Sequence, residues 1–333
     1  VSETKSSPVA IDDTTPEPPS REEDQPLSNI SRYPATTRRI GKNSHDLLNP
    51  GSRYERRQRL PNDPDNPDPG WNALFTADRY FIHGDEVATI SLDLKRNDTV
   101  VVPQIMEMRA EAIGARFGPK TIKLPVYGSN GGALIYFIPD LSWPDFSGPI
   151  RVTTRFKARN LMTQTGTLDF HFTGSDRIPA EFTGQFQDLL EQGDLVFDVG
   201  VKVLKAGKFR IEANLFDVDG RPFGWARFEG HLASGLQTIA LRYDGLLFHD
   251  SGALAPYRLA QLRGYRLEPE SRWGRANIPP AEYEYLTSRS YQLAQFHNTL
   301  RISPRQQRMA DMYEDARKRG VLFTRPPPAH SSD

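Results

Sequence analysis

The segment Val87-Ala-Thr-Ile-Ser-Leu-Asp-Leu94 decides the fold class of this chain. Its side chains alternate between an apolar face and a mostly polar face, as they do along a β-strand. The apolar face consists of Ala88, Ile90, Leu92 and Leu94, and the other face of Val87, Thr89, Ser91 and Asp93. This period of two predicts an antiparallel strand with one side in a core and the other in water.

Similar strand-like segments lie on both sides of this one. Each is short and apolar, and Gly, Pro, Asn and Asp separate it from the next. The predicted strands are 74–82, 87–94, 105–113, 121–126, 134–138 and 150–156. Because no useful helical period interrupts them, we expect an immunoglobulin-like β-sandwich over residues 69–158.

A second series of strand-like segments follows and predicts a second β-sandwich over residues 159–268. Its strands are 168–172, 194–203, 209–216, 223–228, 237–243 and 257–267. Asp219-Gly220 is a strong hairpin turn signal between two of them. The segment 180–192 is ambiguous, and we interpret it as a strand or an irregular edge. The predicted fold is all-β, with two consecutive antiparallel immunoglobulin-like sandwiches.

The first 68 residues predict a disordered tail and a Pro/Asp-rich linker. Residues 1–30 are rich in Pro, Ser, Thr, Asp and Glu and carry too little apolar surface to offset the entropy of ordering. Residues 32–59 are basic. Their arginines are either part of a solvated linker or a docking strip for an acidic partner or an anionic lipid surface. The candidate partner-binding residues are Arg38, Arg39, Arg53, Arg56 and Arg57.

The C-terminal region, residues 269–333, predicts an extended segment that contains a helix over 304–319. Ser303 and Gln306 form a capping box, and Pro304 suits the first helical position. A stripe of Met309, Met312 and Tyr313 then recurs at helical spacing. We expect this stripe to contact a partner surface, either the second sandwich of the same chain or a neighbouring subunit.

Composition excludes several classes of protein. The chain has 42 basic and 42 acidic side chains, so it lacks the positive excess of a dedicated nucleic-acid binder. It has no apolar run of the length that spans a bilayer, and it has no cysteine for a disulfide or a thiolate metal site. The first residue is Val1, for which a cleaved secretion signal is one explanation and a trimmed chain the other. We expect an exported protein that is periplasmic, on the cell surface or secreted.

Several segments from 182 to 267 carry a family resemblance. They are Phe182-Thr-Gly-Gln-Phe186, Gly193-Asp-Leu-Val-Phe-Asp-Val199, Ala206-Gly-Lys-Phe-Arg-Ile211, Asn214-Leu-Phe-Asp-Val-Asp-Gly220, Gly224-Trp-Ala226, Gly252-Ala-Leu-Ala-Pro-Tyr257 and Leu262-Arg-Gly-Tyr-Arg-Leu267. This region, with the trailing segment to residue 296, resembles a β-sandwich module of bacterial exported proteins of the "choice-of-anchor" type. The resemblance implies a fold and an exported location, and it brings no catalytic residue with it.

No catalytic motif is present, and we predict that the chain is not an enzyme. The seven histidines form no HExxH or HxH ligand pair, and there is no Gly-x-Ser-x-Gly elbow or phosphate loop. His249-Asp250-Ser251 is contiguous, and adjacent residues in a strand or a turn point in different directions. We predict no resident cofactor. A calcium ion held by Asp63, Asp65 and Asp68 is the alternative, with solvated carboxylates as the simpler interpretation.

Two aromatic side chains are candidate ligand contacts. Trp143 and Phe146 lie in the loop Leu141-Ser-Trp-Pro-Asp-Phe146, where proline bounds the segment, whereas Trp225 is predicted to lie in the core. We therefore predict an interaction or structural protein of the bacterial envelope or exterior that contacts envelope or surface proteins, or copies of itself. A carbohydrate-binding module is the alternative. A hydrolase would need a polar pocket with convergent acids or histidines.

Overall fold

The computed structural model describes residues 32–48, 50–51, 53–60, 70–129, 132–159, 161–269, 274–287, 289–301, 308, 311–312, 315 and 318–319. Residues 35–300 form one compact unit. A second unit contains residues 1–34 and 301–333. In it, Arg308, Asp311, Met312, Asp315 and Lys318 are helical. Most of the predicted helix 304–319 and all of the predicted tail 1–30 lie outside the described residues.

The strands and helices follow in chain order. The first part contains β1 (Thr37–Arg39), α1 (His45–Leu48), β2 (Tyr54–Arg59), β3 (Trp71–Ala77), β4 (Phe81–His83), β5 (Ala88–Arg96), β6 (Thr99–Val101), β7 (Gln104–Ala112), β8 (Thr121–Lys123), β9 (Tyr127–Ser129), β10 (Gly132–Phe137), β11 (Ser147–Ala158) and β12 (Leu161–Thr173). The second part contains β13 (Ala180–Glu191), β14 (Asp194–Val203), β15 (Gly207–Phe216), β16 (Pro222–Leu232), β17 (Gly235–Tyr243), α2 (Gly245–Ser251), β18 (Arg258–Leu267), β19 (Arg275–Ile278) and β20 (Tyr285–Leu286). Short 3-10 helices lie at Pro139–Leu141, Ser175–Arg177 and Leu293–Gln295.

The first sandwich consists of two sheets with a shared apolar core. One sheet has the order β2-β3-β5-β10-β9 with β6 paired to β5, and the other has the order β4-β12-β11-β7-β8. The alternation predicted for 87–94 is confirmed, because Ala88, Ile90, Leu92 and Leu94 are buried and the intervening residues are half-exposed. Aromatic rings from both sheets meet in this core, including Phe75 and Phe156, whose centroids are 6.1 Å apart.

The first sandwich continues beyond residue 158, where we had placed its boundary. Strand β12 is the antiparallel partner of β11 along nearly its whole length, from Leu161 opposite Ala158 to Thr173 opposite Ser147. β12 also pairs with β4, and this pair is parallel. The boundary was wrong because a strand pattern in the sequence does not reveal which sheet the strand joins.

The second sandwich places a three-stranded sheet against a six-stranded one. The orders are β13-β14-β17 and β1-β16-β15-β18-β19, with β20 paired to β18. The two sheets bury their facing sides, and the Tyr243 hydroxyl donates across the core to the carbonyl of Ala213 at 3.0 Å. The predicted hairpin at Asp219-Gly220 is confirmed as the turn between β15 and β16. The ambiguous segment 180–192 is strand β13 at the sheet edge.

The segment from β1 to β2 is part of both sandwiches, and the prediction of a disordered tail over 1–68 is wrong for it. β1 pairs with β16 of the second sandwich, and β2 pairs with β3 of the first. We call residues 37–59 the strap. Both strands are short, arginine-rich and mostly exposed, so backbone hydrogen bonds hold them in place. A hydrophobic pattern therefore does not reveal them.

Polar contacts join the two sandwiches at strand β19. The Ser147 hydroxyl donates to the carbonyl of Arg275 at 3.1 Å, and the backbone N–H of Asn277 donates to Thr173 Oγ1 at 3.3 Å. Arg177 forms an ion pair with the buried carboxylate of Glu268 at 2.5 Å. Buried polar groups need directional partners, so these contacts fix how β19 lies on the first sandwich.

The segment that follows β20 packs on the second sandwich. The ring of Phe296 stacks on that of Phe248 in α2, with centroids 3.8 Å apart. The hydroxyl of Tyr291 donates to the buried carboxylate of Asp188 at 2.6 Å. This segment therefore completes the sandwich core. Within the described part of the chain, no helix is long and apolar enough to cross a membrane.

Candidate functional site

A cleft of about 570 Å³ lies between the two sandwiches. The first sandwich contributes residues around β4, the second contributes β15, β18 and β19, and the strap contributes α1 and the residues after it. Its volume is within the range of ligand pockets in proteins, and such pockets often form between domains. Three guanidinium groups and three carboxylates line it: Arg79, Arg263, Arg275, Asp46, Glu86 and Glu212.

The floor of the cleft is a hydrogen-bonded network on the outer face of the six-stranded sheet of the second sandwich. Glu212 accepts a hydrogen bond from Trp225 Nε1 at 2.7 Å and lies 3.5 Å from Arg263 Nε. Burial lowers the pKa of Arg263, and the nearby charge of Glu212 opposes that shift. Asn214 donates to the carbonyl of Leu47 at 2.7 Å, which fastens α1 to the sheet. The floor is thereby rigid.

One rim of the cleft is a closed cluster around Glu86. Its Oε1 accepts from Arg79 Nη1 at 2.9 Å, and its Oε2 accepts from the backbone N–H of His83 at 2.9 Å. Burial opposes ionisation of Glu86, but the hydrogen bonds from His83 and the charge of Arg79 outweigh it, so the pKa of Glu86 lies below its ordinary value. Glu86 therefore remains an ionised partner of Arg79 rather than a proton donor.

The guanidinium of Arg275 is presented differently from the other two. It lies over the ring of Phe81, 5.3 Å from the centroid, and over the ring of Tyr265, 5.4 Å from the centroid. Among the described residues, no carboxylate lies within ion-pairing distance of it. Aromatic contacts cover the faces of a guanidinium and leave its in-plane N–H groups available.

Two buried histidines lie beside this arginine. His171 contacts the ring of Phe81 at 5.8 Å, and its Nδ1 accepts from Asn277 Nδ2 at 3.2 Å. Burial above all, and then the electrostatic effects of the neighbouring Arg275 and His83, lower the pKa of His171 to about 3. His171 is therefore neutral, with its proton on Nε2, and this atom has no hydrogen-bond partner within the described chain. His83 Nδ1 lies 3.5 Å from Oε2 of Glu86.

A second polar cluster joins the C-terminal segment to helix α2. His297 Nε2 lies 2.9 Å from Asp194 Oδ1 and 3.4 Å from Asp244 Oδ1, so the three side chains have the spacing of metal ligands. However, the N–H of Gly245 donates to Asp194 Oδ1 at 2.9 Å, and the N–H of Leu246 donates to Asp244 Oδ1 at 3.0 Å. These donors would repel a cation. The cluster is a helix cap that fastens the segment around His297.

The two predicted ligand contacts are buried. Trp143 is 1% exposed, and its Nε1 donates to the carbonyl of Pro119 at 2.7 Å. Phe146 is 6% exposed and belongs to the same core. The proline-bounded loop folds inward because both side chains fill the first sandwich. Neither residue offers an exposed ring to a ligand. Trp225 is also buried, as predicted.

The arginines of the predicted docking strip belong to the strap. Arg38 lies over the ring of Trp225 at 5.7 Å, and Arg53 pairs with Glu55 at 3.1 Å. Arg56 donates to the carbonyl of Thr167 at 2.9 Å. Arg39 and Arg57 are exposed on strands β1 and β2. The basic residues are thus distributed along two strands, and they do not form one continuous strip.

The remaining predicted sites fall mostly outside the described residues. Asp63, Asp65 and Asp68, the candidate calcium ligands, lie outside them, and so do Met309 and Tyr313. Met312 is described, and its side chain is 56% exposed. His249-Asp250-Ser251 lies in helix α2, where His249 Nε2 is 3.2 Å from the carbonyl of Phe296.

The residues of the cleft are not among those predicted from the sequence. Phe81 is far in the chain from Tyr265 and Arg275, and each of the three belongs to an ordinary strand pattern. A weak signal is the alternation in β18 and β19. Polar Arg263, Tyr265 and Asn277 alternate there with small or apolar residues, which marks one face as polar. It does not show what covers that face.

The chain matches no family model, and it matches no curated protein. Similar solved structures include a DUF4785 family protein from Legionella pneumophila, with 15% identity, a TM-score of 0.46 and coverage of 68% of this chain and 58% of that one. A Salmonella alpha-2-macroglobulin mutant is 14% identical with a TM-score of 0.30, and the match covers 68% of this chain and 15% of that one. A tetra-tandem repeat from the extending region of a large adhesion protein is 10% identical with a TM-score of 0.21, and the match covers 67% of this chain and 57% of that one. The chain thus spans little more than half of the Legionella protein and a small part of the Salmonella one.

At these scores the likenesses carry no argument about function, and the choice-of-anchor resemblance stays a prediction. The chain itself is an all-β module of two sandwiches.

Proposed function

We propose that this chain is a non-enzymatic interaction protein of the bacterial envelope or exterior, which holds part of a partner in the cleft between its sandwiches. The observation that carries the proposal is the pairing of charges in the cleft. Asp46, Glu86 and Glu212 each have an arginine side chain within 4.0 Å. A general acid or base needs a pKa near the working pH, and the pKa of Glu86 lies below even its ordinary value because of His83 and Arg79.

The construction of the junction also supports a binding role. The strap pairs with both sandwiches, and β19 is hydrogen-bonded to the first sandwich, so the walls of the cleft are fixed relative to each other. A preformed site loses little conformational entropy when a ligand binds. Such rigidity suits recognition of an external group.

Site-specific photo-crosslinking in the organism that encodes the chain tests this proposal. A photoreactive residue at Ala281 lines the cleft, and one at Leu236 is exposed on β17 and serves as the matched control. We expect a discrete adduct with an envelope or exterior protein from position 281 and none from position 236. Absence of an adduct from position 281 would overturn the proposal.

One exposed aromatic pair favours carbohydrate binding as a second candidate function. Tyr127 and Tyr136 lie on neighbouring strands β9 and β10, 48% and 42% exposed, with ring centroids 5.1 Å apart. Exposed rings on one sheet face suit stacking on a sugar. Co-sedimentation with insoluble polysaccharide that is lost in Tyr136→Ala would support this function. Equal sedimentation of the variant would argue against it.

A further inference from the structure

We infer that the cleft binds the C-terminal carboxylate of a partner polypeptide whose last residues are apolar, with Arg275 as the group that holds the carboxylate. The inference rests on the proposed function and names the chemistry of the ligand. It starts from the difference between Arg275 and the other arginines in the cleft. Arg79 and Arg263 have carboxylate partners, at 2.9 Å and 3.5 Å.

The stacking of Arg275 defines how a ligand approaches it. The rings of Phe81 and Tyr265 lie against the guanidinium, so its donors are available at the edge of the plane. Two parallel N–H groups at that edge match the two oxygens of a carboxylate. The backbone carbonyl of the same residue accepts from Ser147 at 3.1 Å, which fixes the start of the side chain. A fixed, bidentate donor of this kind suits an anion that presents two oxygens side by side, as a carboxylate does.

His83 also lines the cleft, and its Nδ1 lies 3.5 Å from Oε2 of Glu86. Glu86 also accepts from Arg79 and from the backbone N–H of His83. The positive charge of Arg79 is therefore directed to Glu86, whereas Arg275 has no carboxylate within ion-pairing distance among the described residues.

The apolar part of the lining favours a peptide over an acidic sugar. Leu47, Leu48, Pro50, Ile278 and Pro280 form aliphatic walls around the charged groups. An aliphatic side chain next to the carboxylate would bury apolar surface there. A sugar binds by stacking on aromatic faces, but Arg275 already lies over both Phe81 and Tyr265. The shape and chemistry thus match capture of a peptide C-terminus.

The test is a calorimetric titration of the full chain with acetyl-Ala-Ala-Leu that ends in a free carboxylate, and with the same peptide as its C-terminal amide. We expect the carboxylate form to bind at least about tenfold more tightly, because only that form makes a charge-assisted pair with the guanidinium. Glucuronate and inorganic phosphate serve as the other anions. Equal binding of the two peptides, no binding of either, or tighter binding of glucuronate or phosphate would overturn the inference.

Variants locate the site. Arg275→Gln should weaken binding of the carboxylate peptide about tenfold or more, and Arg275→Lys, which keeps the charge but not the fork, should weaken it several-fold. The matched control is Arg210→Gln. Arg210 also lies over Tyr265, at 5.8 Å, but it pairs with Glu229 and does not line the cleft. Unchanged binding in both Arg275 variants would refute the assignment. If the titration fails while the adduct from position 281 persists, the inference fails and the proposed function stands.

Discussion

Replacement of Gly166 by alanine should destabilise the first sandwich. Gly166 lies in β12 opposite Thr154 of β11, and it faces Phe75 of the other sheet. A Cβ atom at this position would lie 2.0 Å from Cζ and 2.5 Å from Cε2 of Phe75. The ring is 1% exposed, so it cannot move into solvent.

The magnitude follows from two opposing effects. Overpacking of a filled core costs about 1–3 kcal/mol, and this clash is near the upper end. Alanine also restricts the unfolded chain, which stabilises the fold by roughly 0.4–1 kcal/mol. We therefore expect a net loss of about 2 kcal/mol in the free energy of unfolding, or roughly a thirty-fold change in the equilibrium constant.

A double-mutant cycle makes the test specific. Phe75→Leu alone should cost about 1–2 kcal/mol through lost burial and a small cavity. The double variant Gly166→Ala/Phe75→Leu should be more stable than the sum predicts by about 1 kcal/mol, because leucine leaves room for the new methyl group. The control is Gly41→Ala, where a Cβ would meet no atom within 4 Å. It should change stability by less than about 0.5 kcal/mol.

The assay is urea unfolding followed by tryptophan fluorescence, with amide exchange in β3 and β12 as the local readout. If Gly166→Ala behaved like Gly41→Ala, β12 would not face β3. The first sandwich would then end near residue 158, as the sequence had predicted. If the losses in unfolding free energy of the two single variants simply added in the double variant, the contact between position 166 and Phe75 would be refuted.

Three further perturbations have defined outcomes. Phe296→Ala should cost about 3–5 kcal/mol in chemical unfolding, because its ring is buried against Phe248. The folded state keeps His171 neutral down to a pKa of about 3, whereas the unfolded chain binds a proton near pH 6.5, so stability should fall as the pH drops through this window. His171→Gln should reduce that slope by one proton in acid titrations. Asn214→Ala removes the hydrogen bond to the carbonyl of Leu47, so trypsin should cut the strap faster, with a loss of about 1–3 kcal/mol.

Strand positions could be predicted from the sequence because each core strand carries its own evidence. The alternation from Ala88 to Leu94 decides which side of β5 is buried, whatever its neighbours are. Asp219-Gly220 specifies its hairpin through local backbone preferences, in the same way. Each of these two signals is contained in a few consecutive residues, and the structure confirms both the buried face of β5 and the hairpin.

The strap, the domain boundary and the cleft depend on contacts between distant residues. The strap strands bury almost no side chains, so they leave no apolar period in the sequence. Trp143 lies in a proline-bounded loop, and nothing local shows that its side chain turns inward to the carbonyl of Pro119. Within the described part of the chain, Arg275 differs from Arg79 and Arg263 of the cleft in having no carboxylate within ion-pairing distance, which is a property of the packed chain and not of its order.

The same contacts that join the sandwiches also create the candidate site. β19 is a four-residue strand at the edge of its sheet, and its backbone and side chains bond to Ser147, Thr173 and His171 of the first sandwich. These bonds are directional, so they fix the position of β19 more strictly than apolar packing would. Arg275 is its first residue, and its guanidinium therefore reaches the cleft from a base that both sandwiches hold. A junction that served only to connect two domains would not need a guanidinium that has no carboxylate partner among the described residues. Its presence at this junction is the reason to place the binding role there rather than at the exposed loops.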